Sequence, residues 1–206
     1  MQPRRMARPR KHEIWFPCGR YFIRTIKRED ASDRWGAWLA DSWTVNVLNL
    51  PPRILPKSEI VEYIRTFDQR TRLLVGIFEK GTRLHVGFVR LDIDYEAKEA
   101  LVNAVIGEPE HRNRGATSDV FVPLLDFLFD TVGLETVKAS ILKRNQVTLS
   151  YLLKLGWQLD RAAEARVKST SDGTMLDLCS VSWNRDGYRA FLQTAIGSRI
   201  LRRLSG

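Results

Sequence analysis

The sequence contains few of the residues that several classes of protein require. Its two cysteines, Cys18 and Cys179, are too few and too far apart to indicate a disulfide framework or a zinc site. Its three histidines show no metal-ligand spacing, so we expect no metal. No run approaches the ~18 apolar residues of a membrane span, and no apolar stretch follows the basic N-terminus as in a secretory signal. These absences predict a reduced, cytoplasmic protein without a membrane partner.

Two common phosphate-binding motifs are also missing from the sequence. There is no Gly-Lys-Ser/Thr, which argues against the P-loop of a nucleoside-triphosphate enzyme. There is no G-x-G-x-x-G after the first predicted strand, which leaves a Rossmann dinucleotide site unsupported.

The formal net charge of +9 lies at the two ends of the chain. Residues 1–12 hold five basic residues and no acidic one, and residues 184–206 hold five arginines and one aspartate, so the stretch between them is balanced. We expect residues 1–13 to form a basic, disordered arm and residues 14–184 a single domain. Residues 185–206 predict a basic amphipathic helix that packs on the domain or on a second subunit of a homodimer. The balanced domain does not favour nucleic acid as a partner.

Apolar periodicity predicts an α/β protein with a mixed sheet rather than a doubly wound fold or a barrel. Strands are predicted at Tyr21–Lys27, Leu73–Glu79, Leu84–Asp94, Ala100–Gly107, Val137–Leu142 and Met175–Trp183. Helices are predicted around Trp35–Leu39, from Ser58, over Arg114–Val132, from Asn145 to Gly156, and over Tyr188–Leu204. Gly133 is predicted to end the third of these as a left-handed cap, and Asn145 to cap the fourth. The second, third and fourth strands have connections too short for a crossover helix, so we expect an antiparallel meander. Pro123 predicts a kink or a restart of the longest helix.

The stretch from Glu108 to Ser118 lies between a predicted strand end and a predicted helix start. The first backbone N–H groups of a helix have no partner within it, and the helix dipole favours an anion there. Gly115 permits a close approach of the backbone to a phosphate, and Arg112 and Arg114 add positive charge. The turn therefore predicts a pyrophosphate site, with an ordinary turn of solvated arginines as the alternative. The residues of this predicted site are Arg112, Asn113, Arg114, Gly115, Ala116, Thr117 and Ser118.

Two motifs of the sequence resemble the signatures of the GNAT superfamily of N-acetyltransferases. Arg112-Asn-Arg-Gly115-Ala-Thr117 resembles the acetyl-CoA signature Arg/Gln-x-x-Gly-x-Gly/Ala, with Thr117 where glycine or alanine is usual. Asn145 to Trp157 looks like the second signature, an asparagine with a serine or threonine three residues on and a helix that ends in Leu-Gly-aromatic. The resemblance spans residues 20–183 in element order. It is closest to the branch that contains ribosomal-protein N-terminal acetyltransferases.

The resemblance implies the GNAT fold, a mixed and mostly antiparallel sheet with splayed central strands and flanking helices. The strands at residues 100–107 and 137–142 would separate and bind the pantetheine arm of acetyl-CoA between them. The pyrophosphate would lie on the turn at Asn113–Ser118. The predicted cofactor-binding residues outside the turn are Val105, Ile106, Gly107 and Asn145.

The resemblance also implies an enzyme that moves an acetyl group from acetyl-CoA to a primary amine. The acceptor would be a small-molecule amine or a protein N-terminus that attacks directly, with no covalent enzyme intermediate. A main-chain N–H would polarise the acyl carbonyl, a carboxylate would take the amine proton, and a tyrosine would protonate the leaving thiolate. Acceptor specificity is expected to depend on Trp38, Trp43 and the loop at Asn46–Pro56.

The acid of this mechanism does not occupy its usual place. Counted from Asn145, the usual tyrosine position holds Leu152, and Tyr151 lies one helical residue, about 100°, away from it. Tyr151 is the candidate acid, with a half-buried surface aromatic as the alternative. His111, beside the turn, is expected to be an exposed loop residue.

The base is also displaced from the family pattern. Many members of the family have a glutamate early in the strand at residues 100–107, where this chain has Val102 and Asn103. Glu108 is therefore the candidate base, with Asp92 and Asp94 as alternatives. These departures favour, as a second hypothesis, a catalytically weak GNAT-fold module that binds acyl-CoA. A third hypothesis is an RNA- or ribosome-associated protein that uses its basic ends.

Overall fold

One mixed sheet forms the centre of the structure, a computed structural model. It describes residues 9–205, without the side chains of residues 161–164. The strands are Trp15–Cys18 (β1), Tyr21–Thr25 (β2), Arg72–Glu79 (β3), His85–Asp94 (β4), Glu99–Ile106 (β5), Thr136–Leu142 (β6), Gln158–Lys168 (β7) and Met175–Asn184 (β8). Their order across the sheet is β1-β2-β3-β4-β5-β6-β8-β7, with every neighbouring pair antiparallel except β5 and β6. The predicted mixed, mostly antiparallel α/β fold is confirmed.

Helices cover both faces of this sheet. They are Asp33–Ala37 (α1), Ser42–Leu48 (α2), Lys57–Arg65 (α3), Ala116–Asp126 (α4), Gln146–Lys154 (α5), Arg185–Leu192 (α6) and Ala195–Ser205 (α7). Successive strand residues point to opposite faces, so β3 sends Leu73 and Leu74 into different cores. The Leu74 core lies under α1 and α3, and the Leu73 core lies under α4, α6 and α7. Among the described residues, no helix is both long enough and apolar enough to cross a membrane.

The predicted C-terminal helix is two helices instead of one. α6 ends at Leu192, and Thr194 begins α7 by accepting a hydrogen bond on its hydroxyl from the Gly197 N–H at 3.1 Å. A Cβ at Gly197 would lie 2.2 Å from the Phe191 carbonyl oxygen, so only glycine lets α7 fold back this closely on α6. Both helices pack on the domain, since Tyr188 and Ile200 belong to its core. The strands β1 and β7 and the helix α2 were not predicted at all.

The longest helix changes its hydrogen bonding after Pro123. α4 continues past this proline to Asp126 and then becomes a π-helix over Phe127–Val132. The helix therefore does not restart at Pro123, which was one of the two predicted outcomes, and the change in hydrogen bonding lies one turn later. Gly133 ends the segment in the left-handed region at φ +83°, as predicted.

The first described residues pack against the domain. The His12 N–H donates to the Gln69 carbonyl oxygen at 2.7 Å, and His12 Nε2 lies 2.9 Å from the Tyr95 hydroxyl. His12 is buried, and this burial lowers its pKa. Residues 9–13 of the predicted arm thus have contacts of their own, while residues 1–8 of that arm lie outside the described residues.

Tyr188 anchors the C-terminal helices to α4. Its side chain is fully buried, and its hydroxyl lies 3.1 Å from the Val122 carbonyl oxygen and 3.0 Å from Asp126 Oδ1. Burial and the nearby Asp126 charge both raise the pKa of Tyr188, so the hydroxyl keeps the proton that it donates. This contact joins two segments that are more than sixty residues apart in the sequence.

We expect Tyr188→Phe to lower the free energy of unfolding by about 1 kcal/mol, because one buried hydrogen-bond donor is lost while the ring is kept. Tyr63→Phe is the matched control, since the Tyr63 hydroxyl makes no hydrogen bond within residues 9–205. It should change that free energy by less than about 0.5 kcal/mol. Urea denaturation followed by circular dichroism measures both. Equal effects of the two variants would contradict the anchoring role of the Tyr188 hydroxyl.

Candidate functional site

The central strands β5 and β6 separate soon after they begin. They pair only at Glu99–Leu101 with Thr136–Lys138, while β5 pairs with β4, and β6 with β8, along their whole lengths. The outer neighbours therefore fix each strand, and a gap opens between the two. In the part of the chain that the structure describes, the peptide groups on this edge of β5 beyond Leu101 have no strand partner. Buried peptide groups need hydrogen-bond partners, so this edge is suited to bind a ligand with amide groups.

A cavity of about 480 Å³ fills the gap, a volume within the range of small-molecule sites. Its walls are mostly apolar, and Asn103 and Ser140 contribute polar groups from β5 and β6. α2 and α5 close its sides. The strand residues that line it are Val102, Asn103, Ala104, Ile106, Ala139, Ser140, Ile141 and Leu142. Its helical lining includes Trp43, Val47, Leu48, Phe121, Thr148, Tyr151 and Leu152.

The open end of the gap meets the N-terminus of α4. Asn113 and Gly115 both adopt positive φ, at 56° and 81°, and α4 begins directly after Gly115. Within residues 9–205, no described side chain caps this helix, so the N–H groups of its first turn are not used by a capping oxygen. Together with the helix dipole, these N–H groups make a favourable position for an anion.

Arg112 braces the turn instead of presenting a free guanidinium to it. Its Nε donates to the Ile106 carbonyl oxygen at 3.1 Å, and its Nη2 donates to the Gly107 carbonyl oxygen at 2.7 Å. Nη2 also lies 2.9 Å from Asp41 Oδ2, and the guanidinium lies over the Trp43 ring at 4.4 Å. Arg112 thus connects the end of β5 with α2 and lies at the cavity wall.

The predicted cofactor-binding residues fall into two groups. Gly107 lies behind the wall, since a Cβ there would be 1.9 Å from the Trp38 ring, and Arg114 is exposed. Asn145 lies at the cavity and caps α5, where its Oδ1 accepts from the Thr148 N–H at 3.3 Å. The predicted residues that line the cavity are Ile106, Arg112, Asn113, Gly115, Ala116, Thr117 and Asn145. The lining does not include Val105, Gly107, Arg114 and Ser118.

His111 is a residue of this site that was misjudged from the sequence. It is 9% exposed instead of a solvated loop residue, and it lines the cavity. Its Nδ1 lies 3.1 Å from the Tyr21 hydroxyl, and the two rings pack edge to face. Tyr21 is ninety residues away in the sequence, so no local pattern indicated this burial.

Glu108 is held on both carboxylate oxygens. Oε1 accepts from Arg34 Nε at 2.7 Å and from Trp38 Nε1 at 2.8 Å, and Oε2 accepts from Arg34 Nη2 at 2.8 Å. Burial raises the pKa of Glu108, but these hydrogen bonds outweigh burial and lower it overall. Glu108 is 4% exposed and is not among the cavity-lining residues, so its role as a base remains a prediction that this geometry does not favour.

The alternative carboxylates lie away from the cavity. Asp92 pairs with Arg90 at 2.7 Å and with Arg72 at 3.2 Å. Asp94 accepts the backbone N–H groups of the turn that follows β4. Both residues stand opposite the first residues of β5, at the closed end of the gap, and neither is among the residues that line the cavity.

Tyr151 and Leu152 both line the cavity. The displacement by one residue therefore does not remove the tyrosine from the site. Burial raises the pKa of Tyr151, and hydrogen bonding to Ser118 opposes this increase. The phenol is protonated at neutral pH, as an acid must be, and it lies beside the first turn of α4.

We expect Glu108→Gln to lower the free energy of unfolding at pH 7 by about 1–3 kcal/mol, because its charged hydrogen bonds are weakened in a buried place. The lowered pKa of Glu108 means that its stabilisation exists above the ordinary glutamate pKa of about 4.3 and is lost as the pH falls through the folded-state pKa. The difference between the two proteins should therefore shrink in acid. Urea denaturation between neutral and acidic pH measures it.

The control for this measurement is Glu110→Gln, an exposed carboxylate in the same turn. It should change the free energy of unfolding by less than about 0.5 kcal/mol at any pH. A Glu108→Gln protein as stable as the wild type at neutral pH would rule out the structural role of this carboxylate.

Solved structures share this architecture. A GCN5-related N-acetyltransferase from Brucella melitensis aligns at TM-score 0.74 and 13% identity, over 96% of this chain and 87% of that one. Spermidine N-acetyltransferase from Vibrio cholerae, in complex with CoA and spermine, aligns at TM-score 0.69 and 16% identity, over 82% of this chain and 98% of that one. Ribosomal-protein-S5-alanine acetyltransferase from Vibrio fischeri aligns at TM-score 0.67 and 16% identity, over 85% of this chain and 98% of that one. At such identities these likenesses show a common fold.

Sequence comparison identifies the family. No curated protein matches the chain. The family model described as "Acetyltransferase (GNAT) domain" matches residues 20–158, which include the splayed strands, the uncapped turn and the asparagine-capped helix α5. This match covers well over half of the sequence, and the protein therefore belongs to the GNAT family of acetyl-CoA-dependent acetyltransferases.

Proposed function

We propose that this acetyltransferase moves the acetyl group from acetyl-CoA to a primary amine, which attacks directly. The observation that carries the proposal is the cavity between β5 and β6, whose open end meets the uncapped N-terminus of α4. A ligand with an amide-rich arm and a pyrophosphate matches both parts. Acetyl-CoA has this chemistry, and when bound it supplies an acetyl group activated as a thioester.

The open edge of β5 and the turn before α4 would hold the two parts of this substrate. The peptide groups after Leu101 would bind the pantetheine amides, since no strand among residues 9–205 pairs with them on that side. The N–H groups around Gly115 would bind the pyrophosphate. A main-chain N–H on the open edge near Ile106 would stabilise negative charge on the acyl oxygen. Ala104 and Ile141 line the same cavity and limit the access of water.

Tyr151 is the residue that we propose for protonation of the leaving thiolate. It lines the cavity, and its raised pKa keeps the phenol protonated at neutral pH. For the base, the proposal keeps Glu108 as the sequence-derived candidate. Its carboxylate would have to exchange Arg34 and Trp38 for the amine or a water before it could accept a proton.

The acceptor is proposed to be a small-molecule amine or a protein N-terminus. Structural relatives named as a spermidine N-acetyltransferase and a ribosomal-protein-S5-alanine acetyltransferase represent both kinds. The loop after α2, singled out for specificity, is tied to the β7–β8 hairpin by Asn49. The Asn49 side chain donates to the Lys168 carbonyl oxygen at 2.9 Å and accepts from the Thr170 N–H at 3.1 Å. We propose that this rim selects the acceptor.

Isothermal calorimetry of acetyl-CoA with the wild type and with Gly115→Glu tests the cofactor site. We expect binding to weaken at least about 100-fold in the variant, because a carboxylate at the turn repels phosphate and displaces it from the N–H groups. Gly133→Glu is the matched control. Gly133 has a similar φ of +83°, with nothing within 4 Å of an added Cβ. The substitution Gly133→Glu therefore introduces the same backbone strain and the same charge at a position away from the turn before α4. Its affinity should equal that of the wild type.

The outcomes separate the hypotheses. A folded wild type that does not bind acetyl-CoA would overturn the proposal. Binding that is lost in Gly115→Glu, without acetylation of any amine in a broad screen, would favour the catalytically weak acyl-CoA-binding module. Binding together with amine acetylation would support the enzyme and identify its acceptor class.

Tyr151→Phe tests the proposed acid. We expect kcat to fall about 100-fold with little change in the affinity for acetyl-CoA, because a phenylalanine cannot donate the proton. Steady-state kinetics and calorimetry measure the two quantities. An unchanged kcat with weaker acetyl-CoA binding would instead assign the hydroxyl to the first turn of α4, where Ser118 lies.

A further inference from the structure

The C-terminal helix α7 reaches the turn at the start of α4. Arg203 Nε donates to Asp119 Oδ1 at 2.7 Å, and Nη2 donates to the same oxygen and to Ser118 Oγ at 3.1 Å. A Cβ at Gly115 would lie 3.4 Å from Arg203 Nη2. The guanidinium therefore lies directly beside the glycine on which the proposed pyrophosphate site depends.

The carboxylate of Asp119 is the reason why Arg203 would affect the binding of an anion at the start of α4. Its carboxylate is 2% exposed and lies in the first turn of α4, near the same N–H groups. Burial raises the pKa of Asp119, and the hydrogen bonds from Arg203 oppose this increase. A carboxylate that was charged and unpaired here would repel a phosphate, so its neutralisation by Arg203 favours anion binding.

The other edge of the guanidinium remains available. Nε and Nη2 are occupied, whereas Nη1 has no hydrogen-bond partner within residues 9–205, and the Arg203 side chain is 43% exposed. An arginine fixed along one edge is preorganised to donate from the other. α7 is itself held in place, because Ile200 is buried and Leu201 and Leu204 pack against the main core.

We propose that Arg203 is a phosphate-binding residue of the acetyl-CoA site, which neutralises Asp119 and donates from its Nη1 edge to the pyrophosphate. This inference rests on the proposed function, because it assumes that acetyl-CoA occupies the turn. Arg203 lies beyond residues 20–158, which match the family model. The C-terminal segment of this chain thus completes the binding site instead of only covering the core.

The test compares arginines of the same helix. We expect Arg203→Gln to weaken acetyl-CoA binding about tenfold, as the loss of one charged hydrogen bond does. Arg202→Gln is the matched control, because it removes the same charge from an exposed neighbour. Its dissociation constant should stay within about twofold of the wild type. Calorimetry at several salt concentrations should also show a weaker salt dependence for Arg203→Gln than for Arg202→Gln.

A second ligand separates phosphate binding from a purely structural clamp. S-acetylpantetheine carries the thioester and the amides without the pyrophosphate, so Arg203→Gln should leave its affinity unchanged. Equal weakening for both ligands would overturn the proposal in favour of a clamp. Equal affinities of Arg203→Gln and Arg202→Gln for acetyl-CoA would also overturn it.

Two further variants test the role of Arg203 if the first variant fails to fold and separate its direct contact from its effect on Asp119. If Arg203→Gln does not fold, Arg203→Lys keeps a charge beside Asp119 without a second donating edge, and it should still bind acetyl-CoA more weakly than the wild type. The double variant Asp119→Asn with Arg203→Gln should regain only the part of the lost acetyl-CoA affinity that is due to repulsion by Asp119. If the double variant regained the full wild-type affinity, the proposed direct contact between Arg203 and the pyrophosphate would be overturned. If the wild type binds no acetyl-CoA, the proposed function itself fails and this inference fails with it.

Discussion

The site depends on how little of β5 is paired with β6. Three residue pairs join these strands, and their outer neighbours then lead them apart. Because the two are parallel and paired only at their starts, the gap is widest at their carboxyl ends. The chain leaves β5 there and enters α4, so the topology alone brings unpaired strand edge and free helix N–H groups to one place. Most of the other features of the site serve to keep this opening in shape.

Ion pairs that each contain one buried or nearly buried partner maintain the shape of the opening. Arg34 fixes Glu108 just after β5, Arg112 joins the end of β5 to α2, and Arg203 compensates Asp119 in α4. Each pair ties the connection between β5 and α4, or α4 itself, to a helix distant in the sequence. Charge is therefore used here to position backbone, and the groups proposed to bind acetyl-CoA are mostly peptide N–H groups. Removing Arg34 or Arg203 leaves a buried carboxylate uncompensated, which is unfavourable.

The sequence predicted those parts of the fold that local rules control. The strands of the meander, the left-handed end at Gly133 and the Asn145 cap all follow from residue type and spacing within a few positions. The weakly apolar strand β7 has too little alternation to be seen, and the α6–α7 break depends on a close approach at Gly197. The roles of Arg112 and Arg203 could not be predicted, because spacing along the chain does not show which distant groups an arginine will meet.

The Asn49 contact has a consequence for how this protein can change during evolution. One side chain and two backbone groups tie the loop after α2 to the β7–β8 hairpin, outside both apolar cores. Losing such a link costs about the free energy of one or two hydrogen bonds, whereas at Gly115 the φ of +81° strains any residue that has a side chain. Substitutions can thus accumulate at the rim while the turn stays constant. Under the proposed function, acceptor preference can therefore diverge among relatives of this chain that keep the same acetyl donor.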